Sequence, residues 1–142
     1  MRLWHKDLIT VLPKQQLIGQ WRECCLIEKN IRKKGKPNHL LVNKIMDFPI
    51  DHFLYYCYLV ATEMKRRGYR CDENKIFSHY GTYCIASHQK VFRSWHNNRY
   101  LKQCYYNLQE KFDCGAVPEE EWKTFFEFIF PEFSASERYK NV

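Results

Sequence analysis

The sequence predicts an all-α fold, a single compact domain of about four helices spanning residues 1–142. Three observations predict it. The chain has 142 residues, a length that suits one domain. Apolar residues recur at spacings of three and four in four separate segments. Pro, Asn, Asp and Gly, which start or stop helices, stand at the edges of these segments.

The first helix is predicted to start near Leu12 or Pro13 and to end before Gly35. Proline suits a first helical turn because its missing N–H would be unpaired there anyway. Basic residues fill the last turn, and Gly35 can adopt the left-handed conformation that closes a helix. The residues expected to face the core are Leu17, Trp21, Cys24, Cys25 and Ile31.

The second helix is predicted to begin with Asp51 as its N-cap and to stop at Gly68. The preceding apolar stretch, residues 40–49, is compatible with either a short helix or a buried connector. The buried stripe of the second helix is predicted to contain Phe53, Leu54, Cys57, Tyr58, Ala61 and Met64.

Residues 69–95 are predicted to be irregular, and a third helix to follow from a cap at Asn97 or Asn98 through Phe112. Its core face is expected to hold Leu101, Cys104, Tyr105, Leu108 and Phe112. Its outer face keeps Arg99, Lys102, Tyr106 and Lys111 for solvent or a ligand. Pro118 and three glutamates open the last helix, where acidic residues suit the helix dipole.

The charge balance favours a polyanionic partner. Lys and Arg number 23 against 16 Asp and Glu, for a net charge of +7, and 17% of the residues are aromatic. Cations hold phosphates and aromatic rings stack on bases, so nucleic acid is the first candidate. A basic protein without such a partner remains an alternative. The low mean hydropathy of -0.61 argues against a membrane span, and the first residues lack a signal-peptide pattern, so we expect a cytoplasmic protein.

The seven cysteines do not indicate a disulfide framework or a zinc ribbon, because their number is odd and no CxxC pair occurs. Cys84, His88 and His96 are metal-ligand residue types, but their spacing matches no strong template. We therefore expect no metal and no cofactor. The chain also lacks a Gly-rich phosphate loop, HExxH and GxSxG.

Residues 15–23, with the sequence QQLIGQWRE, resemble the first-helix signature of the pyrimidine-dimer DNA glycosylases, the endonuclease V class known from a bacteriophage. The opening residues 1–3 are similar to the start of that family. Residues 65–69 and 96–111 resemble the corresponding parts of its later helices.

This resemblance implies an all-α DNA glycosylase and AP lyase that acts on double-stranded DNA containing damaged pyrimidines, such as cyclobutane dimers, or abasic sites. In the family, the N-terminal α-amine attacks the sugar, forms an imine, and cleaves the strand by β-elimination. Residue by residue, Met1 would supply the amine and Glu23 the essential carboxylate. Arg2, Arg22, Arg99, Lys102 and Lys111 would form the DNA-binding face. We expect a monomer that does not bind membranes.

An α-amine suits imine chemistry, which needs an unprotonated primary amine. Such amines titrate near about 7.7–8.0, against about 10.4 for lysine, so a far larger fraction is free at neutral pH. The chain departs from the family at several positions. With Arg2 next in sequence, Met1 should be retained, whereas the family type exposes a small residue. Gln16 stands in place of a His and Leu26 in place of an Arg.

The sequence leaves two alternatives for the counterpart of the family's aromatic C-terminal tail, Trp122 and Tyr139. A non-catalytic helical nucleic-acid-binding protein on the same scaffold is the alternative function. The retained Glu23 favours the enzyme, since a carboxylate near phosphates is a liability for a protein that only binds DNA.

Overall fold

The computed structural model describes residues 1–85 and 87–131, and it confirms the all-α prediction. Four helices in this part have seven residues or more, and no strand occurs in it. They are α1 (Lys14–Lys34), α2 (Ile50–Arg66), α4 (Asn98–Asp113) and α5 (Glu119–Ile129). The single-turn α3 (Asn74–Phe77) and three short 3-10 helices (Lys6–Val11, Asn43–Asp47 and His88–Lys90) complete the list.

The ends of α1 follow from its flanking residues, as predicted. Pro13 occupies the N-cap position, and Gly35 has a φ of 81°, with its N–H donating to the carbonyl of Ile31. Leu17 and Cys24 are fully buried on its inner face.

The predicted N-cap of α2 is wrong. Pro49 holds that position, and Asp51 lies inside the first turn, where its carboxylate accepts the N–H of Cys84 at 3.1 Å. The predicted stripe is also wrong at one place, because Tyr58 is 44% exposed whereas Tyr56 is completely buried.

The cap of α4 is Asn97, whose side chain accepts the N–H of Tyr100 at 3.0 Å. Of the two alternatives for residues 40–49, a short helix is observed, the 3-10 helix Asn43–Asp47. Within residues 69–85 and 87–95, the chain is irregular apart from α3 and the 3-10 helix His88–Lys90.

The N-terminal segment lies in the interior of the fold, which the periodicity of the sequence does not indicate. Leu3 and Leu8 are fully buried, and the 3-10 helix Lys6–Val11 packs against α2 and α5. Because α1 also packs on α2, the first residues of the chain are held between the helices. The core therefore fixes the position of the chain start.

Trp122 is fully buried among aromatic rings of α4 and α5, with Phe112 stacked at 4.9 Å between ring centroids. Trp122, one of the two candidate counterparts of the family's aromatic tail, therefore belongs to the core. Tyr139 lies outside the described residues. All seven cysteines are free, and three of them, Cys24, Cys57 and Cys104, are buried. Within the described ranges, no helix combines the length and apolar character that a bilayer crossing needs.

Candidate active site

Gln20 of α1 ties the first residues of the chain to the helix. Its Oε1 accepts the N–H of Trp4 at 2.8 Å, and its Nε2 donates to the carbonyl of Arg2 at 3.0 Å. The side chain is almost completely buried. One amide thus satisfies a donor and an acceptor of the N-terminal backbone, as buried polar groups require.

Two tyrosines hold the same segment from the other side. The hydroxyl of Tyr56 donates to the carbonyl of Trp4 at 2.6 Å and lies 3.0 Å from Oε1 of Gln20. The hydroxyl of Tyr100 donates to the carbonyl of Leu3 at 2.5 Å. Burial raises the pKa of both phenols, so each stays protonated and acts as a donor.

Glu23 lies beside the start of the chain. Its Oε2 accepts the N–H of Arg2 at 3.4 Å and lies 3.4 Å from Nε2 of Gln20. Successive backbone nitrogens are less than about 4 Å apart, which places the nitrogen of Met1 within roughly 7 Å of that carboxylate oxygen. The structure therefore brings together Met1 and Glu23.

The helical period explains this arrangement. Gln16, Gln20 and Glu23 are spaced by four and three residues, so they occupy one stripe of α1. Sequence reasoning singled out Glu23 but not the positioning role of Gln20. The available signal was a glutamine one turn before the carboxylate on a stripe that continues into the core at Ile27.

A groove of about 1020 Å³ opens next to the N-terminus. Arg2 lines it, with its guanidinium 5.7 Å from the ring centroid of Trp4 and next to Tyr100. The groove runs between α4 and the loop before α2. Its charged lining residues are Arg2, Lys44, Asp47, Arg99 and Glu110. Its large apolar and aromatic lining residues are Leu40, Leu41, Trp95, Tyr100 and Tyr106.

A model of the pyrimidine dimer DNA glycosylase family matches residues 1–77 of the chain, more than half of its length. The chain belongs to this family. Its members are DNA glycosylases, so DNA is the substrate class. Comparisons with curated proteins and with solved structures gave no match.

The matched part of this pyrimidine dimer DNA glycosylase homologue contains the start of the chain, Gln20, Glu23 and Tyr56. It ends before α4, which contributes Tyr100 and Arg99. The hydrogen bond of Tyr100 to Leu3 and the groove lining by Arg99 therefore connect the unmatched half of the chain to the site.

The other predicted DNA-binding residues of this glycosylase homologue are Arg22, Lys111 and Lys102, and they lie on different helix faces. Arg22 is exposed on α1, about 100° around the helix from Glu23. Lys111 is exposed on the stripe of α4 that also contains Tyr100 and Cys104, roughly 10 Å beyond Cys104 along the axis. Lys102 is exposed about 160–200° of rotation away from Tyr100 and Cys104, and it lies one turn after the groove-lining Arg99.

A buried lysine fixes the loop before α4 to the N-terminal segment. The ammonium of Lys6 donates to the carbonyls of His88 and Val91, each at 2.7 Å, and its backbone N–H donates to Nδ1 of His96 at 2.9 Å. Asp7 lies 2.8 Å from Nε2 of His88. Burial lowers the pKa of Lys6, but its three carbonyl partners, including that of Gln89, are the contacts a charged ammonium needs. Among the described residues, no group of three or more His, Cys, Asp and Glu is arranged to hold a metal ion.

Proposed function

We propose that this protein excises damaged pyrimidines, cyclobutane dimers, from duplex DNA and then cleaves the strand at the resulting site by β-elimination. Met1 supplies the nucleophile through its α-amine, and Glu23 supplies the carboxylate. The observation that carries the proposal is the hydrogen bond between Glu23 and the N–H of Arg2, which sets a carboxylate next to the chain start.

In the first step, the amine nitrogen attacks C1′ of the damaged nucleotide and the C1′–N glycosidic bond breaks, its electron pair leaving with the base. The nitrogen then loses one proton and O4′ takes one up as the sugar ring opens, which leaves a protonated imine between the protein and C1′, while solvent protonates the departing base nitrogen. The negative charge of Glu23 stabilises the cationic sugar and the protonated imine.

In the second step, a proton leaves C2′ and the C3′–O bond breaks, so the 3′ phosphate departs with its electron pair. Glu23 assists removal of the C2′ proton. Water then hydrolyses the imine and releases the amine. Arg2, Arg22, Arg99, Lys102 and Lys111 bind phosphates in this proposal, and Lys102 contributes least because it is on the opposite side of α4 from Tyr100 and Cys104.

Borohydride trapping tests the proposal, because it reduces an imine to a stable covalent adduct. The protein with a free Met1 amine should crosslink to abasic and dimer-containing duplexes, and peptide mapping should locate the adduct on residue 1. Intact mass measurement should first verify that Met1 is retained.

A short N-terminal extension should abolish the adduct, whereas the same extension at the C-terminus serves as the control and should leave it unchanged. An adduct on a lysine side chain would overturn the assignment of Met1. DNA binding without any adduct on either substrate would instead identify a non-catalytic DNA-binding protein.

A further inference from the structure

Two leucines stand exposed at the tip of the loop that follows α1. Leu40 is 85% exposed and Leu41 is 52% exposed, although the next residue, Val42, is fully buried. Both leucines line the groove that begins at Arg2. Single exposed leucines are common on protein surfaces. An adjacent exposed pair beside a groove instead indicates a binding partner.

The loop is built to hold these side chains outward. The carbonyl of His39 accepts the N–H groups of Val42 at 3.1 Å and Asn43 at 2.9 Å, and Oδ1 of Asn43 accepts the N–H of His39 at 3.2 Å. The N–H of Leu41 donates to Nδ1 of His39 at 3.2 Å. With Val42 and Ile45 buried as anchors, the tip is a structured turn that presents its leucines to solvent.

The charges around the two leucines indicate which kind of ligand they contact. Exposed Lys33, Lys34 and Lys36 precede the tip, and exposed Lys44 follows it. Arg99 faces it across the groove, where Asp47 and Glu110 offset part of the charge. Leucines flanked on both sides by lysines suit a ligand with an anionic exterior and an apolar interior, and a stacked DNA duplex has this construction.

We propose that Leu40 and Leu41 form a wedge that enters the duplex at the lesion and separates neighbouring base pairs, while the flanking lysines hold the phosphates. This inference rests on the proposed function, since it takes damaged duplex DNA as the ligand. Apolar side chains that insert between base steps unstack and kink DNA. A damaged or abasic position is the cheapest place for insertion because its stacking is already weakened.

The test compares duplex with single-stranded substrate, because only a duplex has a stack to open. The double variant Leu40→Ser/Leu41→Ser should trap on an abasic duplex at least about tenfold more slowly than the unmodified protein. On the single-stranded abasic oligonucleotide, the two proteins should react at equal rates. The matched control is Phe128→Ser on α5, which removes a side chain that is 47% exposed and does not line the groove.

A second measurement needs no chemistry. The base analogue 2-aminopurine, placed next to a tetrahydrofuran abasic analogue in a duplex, brightens when it unstacks. At saturating concentration, both the unmodified protein and the Phe128→Ser variant should raise the fluorescence. The double leucine variant should lose most of that rise while still binding.

The outcomes separate the two proposals. Equal duplex trapping and equal 2-aminopurine signals for the variant and the unmodified protein would overturn the wedge and leave the glycosylase proposal standing. Absence of trapping by the unmodified protein would overturn the lyase chemistry. The fluorescence comparison would then still decide whether the leucines open the duplex. Thermal unfolding of all three proteins verifies that each variant is folded.

Discussion

The carboxylate of Glu23 accepts the N–H of Arg2 at 3.4 Å, so α1 holds the first peptide unit of the chain. A nucleophile at a chain terminus has no side-chain torsions to set its position. Its place depends on the hydrogen bonds of the adjoining peptides, which here involve Gln20, Tyr56 and Tyr100. The polar groups around the first four residues therefore position the proposed nucleophile.

Glu23→Gln removes the charge and nearly keeps the shape, so the hydrogen bond to the N–H of Arg2 can persist. We expect single-turnover cleavage of an abasic duplex to slow by at least about a hundredfold, the scale of a lost acid/base or electrostatic contribution. DNA affinity should be kept or improved, since a negative charge near phosphates is gone. Glu120→Gln, an exposed carboxylate on α5, is the control and should cleave normally. Cleavage at the unmodified rate by Glu23→Gln would contradict the assigned role.

Local signals in the sequence predict most of the helical framework. Pro13 and Gly35 bound α1 as expected because helix ends depend on the residues that stand there. The predicted cap at Asp51 failed because Pro49 starts α2 earlier, and the freed carboxylate binds the N–H of Cys84 from a distant loop. No periodicity reports such a long-range partner.

The site was predictable only in part, for the same reason. Glu23 and Met1 follow from the family resemblance, and the structure places them close together. Gln20 looks like an ordinary polar position in sequence because its partners are backbone atoms of residues 2 and 4. The groove depends on the tertiary approach of α4 to the loop at Leu40, which no local pattern specifies.

Tyr56→Phe should destabilise the protein and slow its chemistry. The change leaves the buried carbonyl of Trp4 without the donor that lies at 2.6 Å. A buried polar group that loses its partner costs about 1–3 kcal/mol in unfolding free energy. Urea unfolding should show a loss in this range, and borohydride trapping at saturating protein should slow because the N-terminal segment is less firmly held.

The control is Tyr58→Phe, two residues away on the same helix, where the ring is 44% exposed. It should change the unfolding free energy by less than about 0.5 kcal/mol, as expected for a surface substitution. Equal effects of the two substitutions would refute the specific role of the Tyr56 hydroxyl.

The stability of the fold should decrease as the pH falls below about 6.5. Burial lowers the pKa of His96 well below its usual value, and the nearby charges of His5 and Lys6 lower it further. In the unfolded chain, the imidazole of His96 takes up a proton near pH 6.5, whereas in the folded protein it stays neutral at that pH. Acid therefore favours the unfolded state. Urea unfolding should show a loss of up to about 1.4 kcal/mol per pH unit for this group.

His96→Asn tests the assignment, because the amide oxygen can still accept the N–H of Lys6 but does not titrate. This variant should be less stable at pH 7.5 and should lose less of its stability between pH 7.5 and 5.5. Some loss should remain, since burial also lowers the pKa of His5. A slope equal to that of the unmodified protein would exclude His96 as the titrating group.

Lys111 and Lys102 form a matched pair for testing which side of α4 meets DNA. Both are exposed lysines on the same helix, but only Lys111 shares its stripe with Tyr100 and Cys104, beside which Arg2 lies.

A phosphate contact releases counterions, so losing one reduces the slope of log K against log salt by about 0.9 on duplex DNA. Lys111→Gln should therefore lower this slope by about one unit and weaken binding to all duplex sequences alike. Lys102→Gln should lower the slope less than Lys111→Gln, because Lys102 lies on the side of α4 opposite Tyr100 and Cys104. Fluorescence anisotropy titrations of an abasic-analogue duplex across a salt series measure both slopes, and equal slopes for the two variants would contradict the proposed binding face.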